Sequence, residues 1–215
     1  MIELKHVTKR IKERTVLDDV SIFLDAGKTY GIRGINGSGK TMLMRAVCGL
    51  IYLTSGEVLV EGKTLGKELS FPKSLGLLIE NPAFLEAYTG RQNLEFLASL
   101  NQRAGRNEID EAMSKVGLCP SDRRKYRKYS LGMKQRLGIA AAIMENPKIL
   151  VLDEPLNALD RAGISLFDTI MQEEKEKGKL IILSCHDERK LEEYADVILT
   201  MENGRIISNS PVMPG

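Results

Sequence analysis

An α/β fold with a mainly parallel sheet is predicted by three observations in the 215 residues. The runs "KILVLDE" and "KLIILSCH" are short and apolar on both faces, as central parallel strands covered by helices are. Between them, "GISLFDTIMQEEKEKGK" reads as the crossover helix that parallel neighbours need. The glycine-rich "GINGSGKT" follows the strand-like "KTYGIRG" and precedes a helix, which supplies a second strand–loop–helix unit.

The remaining elements fall around this core. "IELKHV", "VLDDVSIFL" and "EVLVEG" are β-rich and bounded by Gly or charged residues, so they predict an antiparallel β subdomain at the front. The helix after the glycine loop carries Leu43, Val47 and Leu50 on one face. "LGLLIE" is a further strand. Residues from about Arg91 to Val116 are expected to be helical, as are Leu131 to Glu145. They place a helical subdomain at about 85–145 inside a single domain spanning 1–215. "ILTMENGRIIS" predicts a hairpin with Asn203-Gly204 as its tight turn. "MQEEKEKGK" is expected to be a solvated helix end.

Composition narrows the partners. Hydrophobic content of 43% with 28% charged residues is ordinary for one globular core. A net charge of +2 is less basic than a nucleic-acid binder usually carries, so no nucleic-acid partner is expected. Cys48, Cys119 and Cys185 have no metal-ligand spacing, which points to a reducing cytosol. The start "MIELKHVTKR" lacks the apolar centre of a signal peptide, and no apolar run approaches the ~20 residues that span a bilayer. The chain is therefore expected to be soluble on its own, with any membrane part supplied by a partner.

Two motifs carry chemistry. Gly34, Ile35, Asn36, Gly37, Ser38, Gly39, Lys40 and Thr41 fit G-x-x-x-x-G-K-[ST]. Such a loop turns its N–H groups inward onto phosphate oxygens, and the following helix adds its positive N-terminus. Lys40 then reaches the β- and γ-phosphates, and the Thr41 hydroxyl ligates Mg²⁺. In "ILVLDEP" an apolar strand ends in Asp153, suited to holding Mg²⁺, and Glu154 stands where it can polarise the attacking water. Either motif alone could be bland, a chance glycine turn or a solvated strand end. Together they define a P-loop nucleotidase with Mg²⁺, a pattern that many families share.

"YSLGMKQRLGIAAA" narrows this further. It resembles the signature motif of ATP-binding-cassette (ABC) proteins, whose usual form is Leu-Ser-Gly-Gly-Gln. Tyr129 takes the Leu place, Ser130 matches Ser, Leu131 replaces the first Gly, Gly132 matches the second and Met133 replaces Gln. The plain alternative is that Ser130 only caps a helix. The resemblance covers almost the whole chain and implies an ABC nucleotide-binding domain that works as a head-to-tail dimer. Each ATP would lie between one subunit's phosphate loop and the other's Ser130, Leu131 and Gly132. Asn157 and Asp160, in "NALD", match the loop that crosses the dimer interface. His186 matches the histidine that contacts γ-phosphate, and joins Glu154 as a catalytic candidate. "SLGMKQR" with "IENPAFLEAYTGRQNL" is similar to the bacterial ABC-2 class, including bacitracin- and lantibiotic-type resistance exporters. That class implies a separate transmembrane permease, a second nucleotide-binding subunit, and a peripheral place on the cytoplasmic side of the membrane. A soluble ABC ATPase serving ribosomes, DNA or cluster assembly is the alternative; a small-molecule kinase has no reason to contain "YSLGMKQR".

The chain departs from the ABC pattern at two further places. Glu80 stands where a glutamine touches Mg²⁺ and couples to the membrane subunit; the resembled class often shows this glutamate, which is expected still to ligate Mg²⁺ beside Thr41 and Asp153, though with added negative charge near the phosphates. Ile11 stands where an aromatic stacks on adenine, so base selectivity is expected to be weak. The loop with Phe84, Leu85 and Tyr88 is expected to form a groove for the permease. The basic run Arg123, Arg124, Lys125, Arg127 and Lys128 is expected to be solvated surface.

Overall fold

The apolar runs become strands covered on both faces. The computed structural model describes residues 1–212. Among them, strands β3 (Thr29–Arg33), β6 (Leu75–Leu78), β7 (Ile149–Leu152), β8 (Leu180–Ser184), β9 (Val197–Glu202) and β10 (Arg205–Pro211) form one sheet in the order β10-β9-β3-β8-β7-β6. Its members run parallel except for the β9–β10 hairpin. A second, antiparallel sheet holds β1 (Ile2–Ile11), β2 (Arg14–Leu24), β4 (Ser55–Val60) and β5 (Lys63–Thr64), ordered β2-β1-β4-β5.

Side-chain alternation divides the interior in two. Leu150 and Leu152 of β7 and Ile181 and Leu183 of β8 face one core, with helices α4 (Leu131–Ile143) and α5 (Arg161–Glu176). Ile149, Val151, Leu180 and Ile182 face the other, with α1 (Lys40–Val47) and the antiparallel sheet. Each such side chain contributes about 2 kcal/mol by leaving water. That burial makes the strands rigid, and β3, β7 and β8 end side by side, with Ile32 level with Ser184 and Leu152 with Leu183. The carboxyl ends of parallel strands are where α/β folds bind ligands.

Several local expectations change. The helix foreseen over 91–116 is two, α2 (Gly90–Asn101) and α3 (Arg106–Lys115). Gln102 turns left-handed at φ 54°, and Gly105 opens the next helix, its N–H donating to Glu108. α1 stops at Val47, so Leu50 is off the helix and half-exposed. Helix α6 (Glu188–Tyr194) was not foreseen; seven residues burying only Leu191 and Tyr194 give no readable period. Nor is "MQEEKEKGK" wholly solvated: Met171, Glu174 and Lys179 are buried, and Glu174 pairs with Lys179. Burial pulls the Lys179 ammonium below its usual range, opposed by Glu174. The Asn203-Gly204 turn forms as expected, with φ of 49° and 81°.

Candidate active site

The phosphate loop leaves β3 at Gly34 and enters α1 at Lys40. Gly39, at the cap, has φ 111°, and a Cβ there would stand 2.8 Å from the Val16 carbonyl, so a larger residue would push the loop off β2. No acidic residue occupies the first turn of α1, which leaves its positive end unopposed. Ile35, Asn36 and Gly37 are exposed at the tip, while Ser38 is buried with its hydroxyl unpartnered. Lys40 Nζ donates back to the carbonyls of Gly34 (2.6 Å) and Ile35 (3.3 Å).

Strand ends bring the carboxylates to this loop. Thr41 Oγ1 donates to Asp153 Oδ2 at 2.6 Å, and Ser184 Oγ donates to Asp153 Oδ1 at 2.5 Å. The Glu154 N–H donates to the same Ser184 hydroxyl at 3.0 Å. Glu154 itself has φ 51°, and its Oε2 accepts the His186 N–H at 2.9 Å. The His186 ring stands 3.5 Å from Oε1, which has no hydrogen-bond partner. Burial raises the Glu154 carboxyl above its ordinary value, opposed by the neighbouring His186. A carboxyl so raised is a better proton acceptor than a solvated one.

Glu80 ends the segment after β6. Its carboxylate accepts from Arg45 Nη2 at 2.7 Å, so in this structure it faces α1. Both line a groove of about 400 Å³ with Leu50, Phe84, Leu97 and Ala141. Phe84 is half-buried, edge-on to Tyr126 at 5.3 Å, whereas Leu85 and Tyr88 are exposed. A groove is thus present beside Glu80, but of the three loop residues expected in it only Phe84 lines it, as part of its floor; Leu85 and Tyr88 do not.

Ser130 does cap α4, accepting from the Met133 N–H at 3.2 Å. Gly132 is required for a close approach: a Cβ there would lie 2.8 Å from the Ala158 carbonyl. Leu131 is 65% exposed, unusual for an apolar residue opening a helix. Asn157 is exposed. Asp160 caps α5 through the Gly163 N–H and pairs with Arg136 at 2.6 Å, which together hold its carboxyl below the usual range. Ser130, Gly132 and Asp160 line an open depression of about 510 Å³. The depression at Lys40 and Thr41 is about 230 Å³ and shares no lining residue with it.

Sequence reasoning missed three residues here. Ser184 bridges Asp153 and Glu154, and its only signal is a hydroxyl at the end of an apolar strand. Gln135 is buried and donates to the carbonyls of Glu154 (3.2 Å) and Pro155 (3.0 Å), tying α4 to the carboxylates. Arg14 reaches over the phosphate loop to within 3.4 Å of the Gly37 carbonyl and lines the same depression. Ile11 is exposed at the end of β1.

The donor set fits a magnesium nucleotide. A hydroxyl beside a buried carboxylate, an unpartnered Ser38 hydroxyl and an unpartnered Glu154 oxygen meet at the positive end of α1. Among the described residues no three His, Cys, Asp or Glu side chains cluster to hold a metal alone, and a magnesium ion characteristically takes the rest of its shell from water and phosphate oxygens.

A sequence-family model described as ABC transporter matches residues 17–157. The chain is 45% identical over 213 residues to an uncharacterized ABC transporter ATP-binding protein, YybJ of Bacillus subtilis (strain 168), covering 99% of this chain and 98% of that one. It is 38% identical to the bacitracin transport ATP-binding protein BcrA of Enterococcus faecalis, covering 96% of this chain and 68% of that one. A solved ATP binding subunit of an ABC transporter matches with a TM-score of 0.89 at 26% identity, covering 99% of this chain and 90% of that one.

Proposed function

Since the chain belongs to the ABC transporter family of ATP-binding proteins and is an ABC-type ATPase, we propose that it powers a separate transmembrane permease through a head-to-tail ATP-sandwich dimer. The observation that carries the chemistry is the Thr41–Asp153–Ser184–Glu154 chain of hydrogen bonds at the mouth of the phosphate loop. Gly34 to Thr41 cradle the phosphates, with Lys40 exchanging loop carbonyls for phosphate oxygens. Thr41 and Asp153 hold Mg²⁺, with Glu80 at the margin of the site. When bound, the cation neutralises charge on the phosphate oxygens.

Glu154 orients a water toward the γ-phosphorus and accepts its proton as the bond to the ADP oxygen breaks. His186, held beside Glu154, contacts the γ-phosphate. Ser130, Leu131 and Gly132 face the partner's nucleotide, and Asn157 and Asp160 lie along the seam between subunits. Two identical chains make the simplest pair.

No helix among the described residues is long and apolar enough to cross a membrane. Attachment to the cytoplasmic face comes through the permease, whose short helix enters the groove lined by Glu80 and Phe84. Similarity to a bacitracin transport ATP-binding protein supports a transport role, and export is the direction we assign to it. The test is Glu154→Gln: phosphate release falls at least about 100-fold while ATP still binds and drives dimer formation on gel filtration. Undiminished phosphate release removes Glu154 from the chemistry.

A further inference from the structure

Position 80 carries a charge where a neutral amide is expected, and α1 carries a cation placed to meet it. Arg45 lies one helical turn after Thr41, on the same face of α1. Thr41 bonds Asp153, and the Asp153 N–H donates to the Leu78 carbonyl at 2.7 Å, two residues before Glu80. Arg45 Nη2 meets Glu80 Oε1 at 2.7 Å, and among the described residues neither group has another ion-pair partner. Glu80 adopts φ 59°, a conformation a non-glycine residue holds only when its surroundings impose it. The Arg45 and Glu80 side chains are 33% and 60% exposed, so the pair adds little to folding stability. Its effect falls on what enters the cleft. A bare carboxylate at the root of this site repels phosphate oxygens; one matched by a guanidinium does not.

We propose that Arg45 is a positioning residue for the nucleotide site, the countercharge that lets a glutamate stand at position 80, two residues from the Leu78 carbonyl that bonds Asp153, itself bonded to Thr41. The pair also ties the phosphate-loop helix to the groove wall. A change at either end is thereby felt at the other. This rests on the nucleotide site described above.

The test is equilibrium binding of a fluorescent ATP analogue, with Mg²⁺ and with EDTA, together with melting of the ligand-free chain. Arg45→Met keeps the apolar stem and removes the charge. It weakens binding about tenfold at low salt, more in EDTA than with Mg²⁺, and the loss shrinks near about 0.5 M salt. Glu80→Gln in the Arg45→Met background restores affinity to within about twofold of wild type, because no charge is left to match. Arg45→Lys retains most of the affinity, and melting moves little in any of these variants. Wild-type binding by Arg45→Met, or an undiminished loss after Glu80→Gln, overturns the proposal. Should Arg45→Met not fold, Glu80→Gln alone decides: the freed guanidinium tightens EDTA binding, and unchanged binding is the overturning result. Lys40→Ala serves as control, since wild-type binding by that variant refutes the phosphate loop itself rather than the pair.

Discussion

The phosphate-loop cleft and the Ser130–Gly132 turn both lie at helix N-termini, yet they are built to different degrees of completion. At the cleft, Thr41, Asp153, Ser184 and Glu154 are already linked by hydrogen bonds, and the strands beneath them are fully buried. At the turn, Ser130 and Leu131 are exposed, and the depression beside them is open and more than twice as large. The two share no lining residue. One surface is a half-site finished by its own chain. The other is accurate in backbone, through the Ser130 cap and the Gly132–Ala158 approach, but has nothing of its own to act on. In the proposed head-to-tail pair, each turn would meet the partner's nucleotide.

The largest effect that separates the two regions is at Lys40. Lys40→Ala lowers ATP affinity by about 100-fold or more, since a charge-assisted phosphate contact is lost outright; isothermal titration reads it. The turn responds differently. Ser130→Asp keeps a good N-cap, so melting is unchanged and one chain still binds ATP, but a carboxylate now meets the partner's phosphates. Dimer formation by Mg-ATP in the Glu154→Gln background falls at least about tenfold on light scattering. If Ser130 only capped α4, Ser130→Asp would dimerise normally.

A smaller effect sharpens the description of the cleft. Burial raises the Glu154 carboxyl, so the folded chain keeps that proton to a higher pH than the unfolded chain. The stability this gives is present below the unfolded value and lost as pH rises through the folded one. Glu154→Gln therefore raises Tm at neutral pH, and the gain shrinks as pH falls into the range where the unfolded carboxyl is protonated; thermal melts of both chains across pH read it. The smallest effect concerns the base. With Ile11 exposed and Arg14 across the loop, ATP and GTP bind within about tenfold of each other. A preference of several hundredfold in competition binding would mean that another group reads the adenine edge.

Legibility in the sequence followed the same division. Gly34 to Thr41, Asp153 and Glu154 could be read because local geometry forces them: a tight loop needs glycines, and a strand end displays its last side chains. Ser184, Gln135 and Arg45 could not, because each acts through a partner 31, 19 or 35 residues away in the chain. No local period encodes such pairs. The break between the two helices within 91–116 was not foreseen, because Gln102 is an ordinary helix former and nothing local signals its left-handed turn. The groove beside Glu80 was foreseen from its charge-poor loop, but only contact with Tyr126 could reveal that Phe84 is part of its floor.

The claim that the turn acts on another chain's nucleotide is tested most directly by mixing two defective chains. Both carry Glu154→Gln, so any ATP captured stays unhydrolysed; one adds Lys40→Ala and the other Ser130→Asp. Neither forms an ATP-bound dimer alone. Mixed in equal amounts, the intact loop of one can face the intact turn of the other. The account predicts a dimer holding about one ATP per two chains, read by gel filtration with radiolabelled nucleotide. A mixture that captures no more ATP than its separate components would contradict it, because the turn and the loop would then have to work within a single chain.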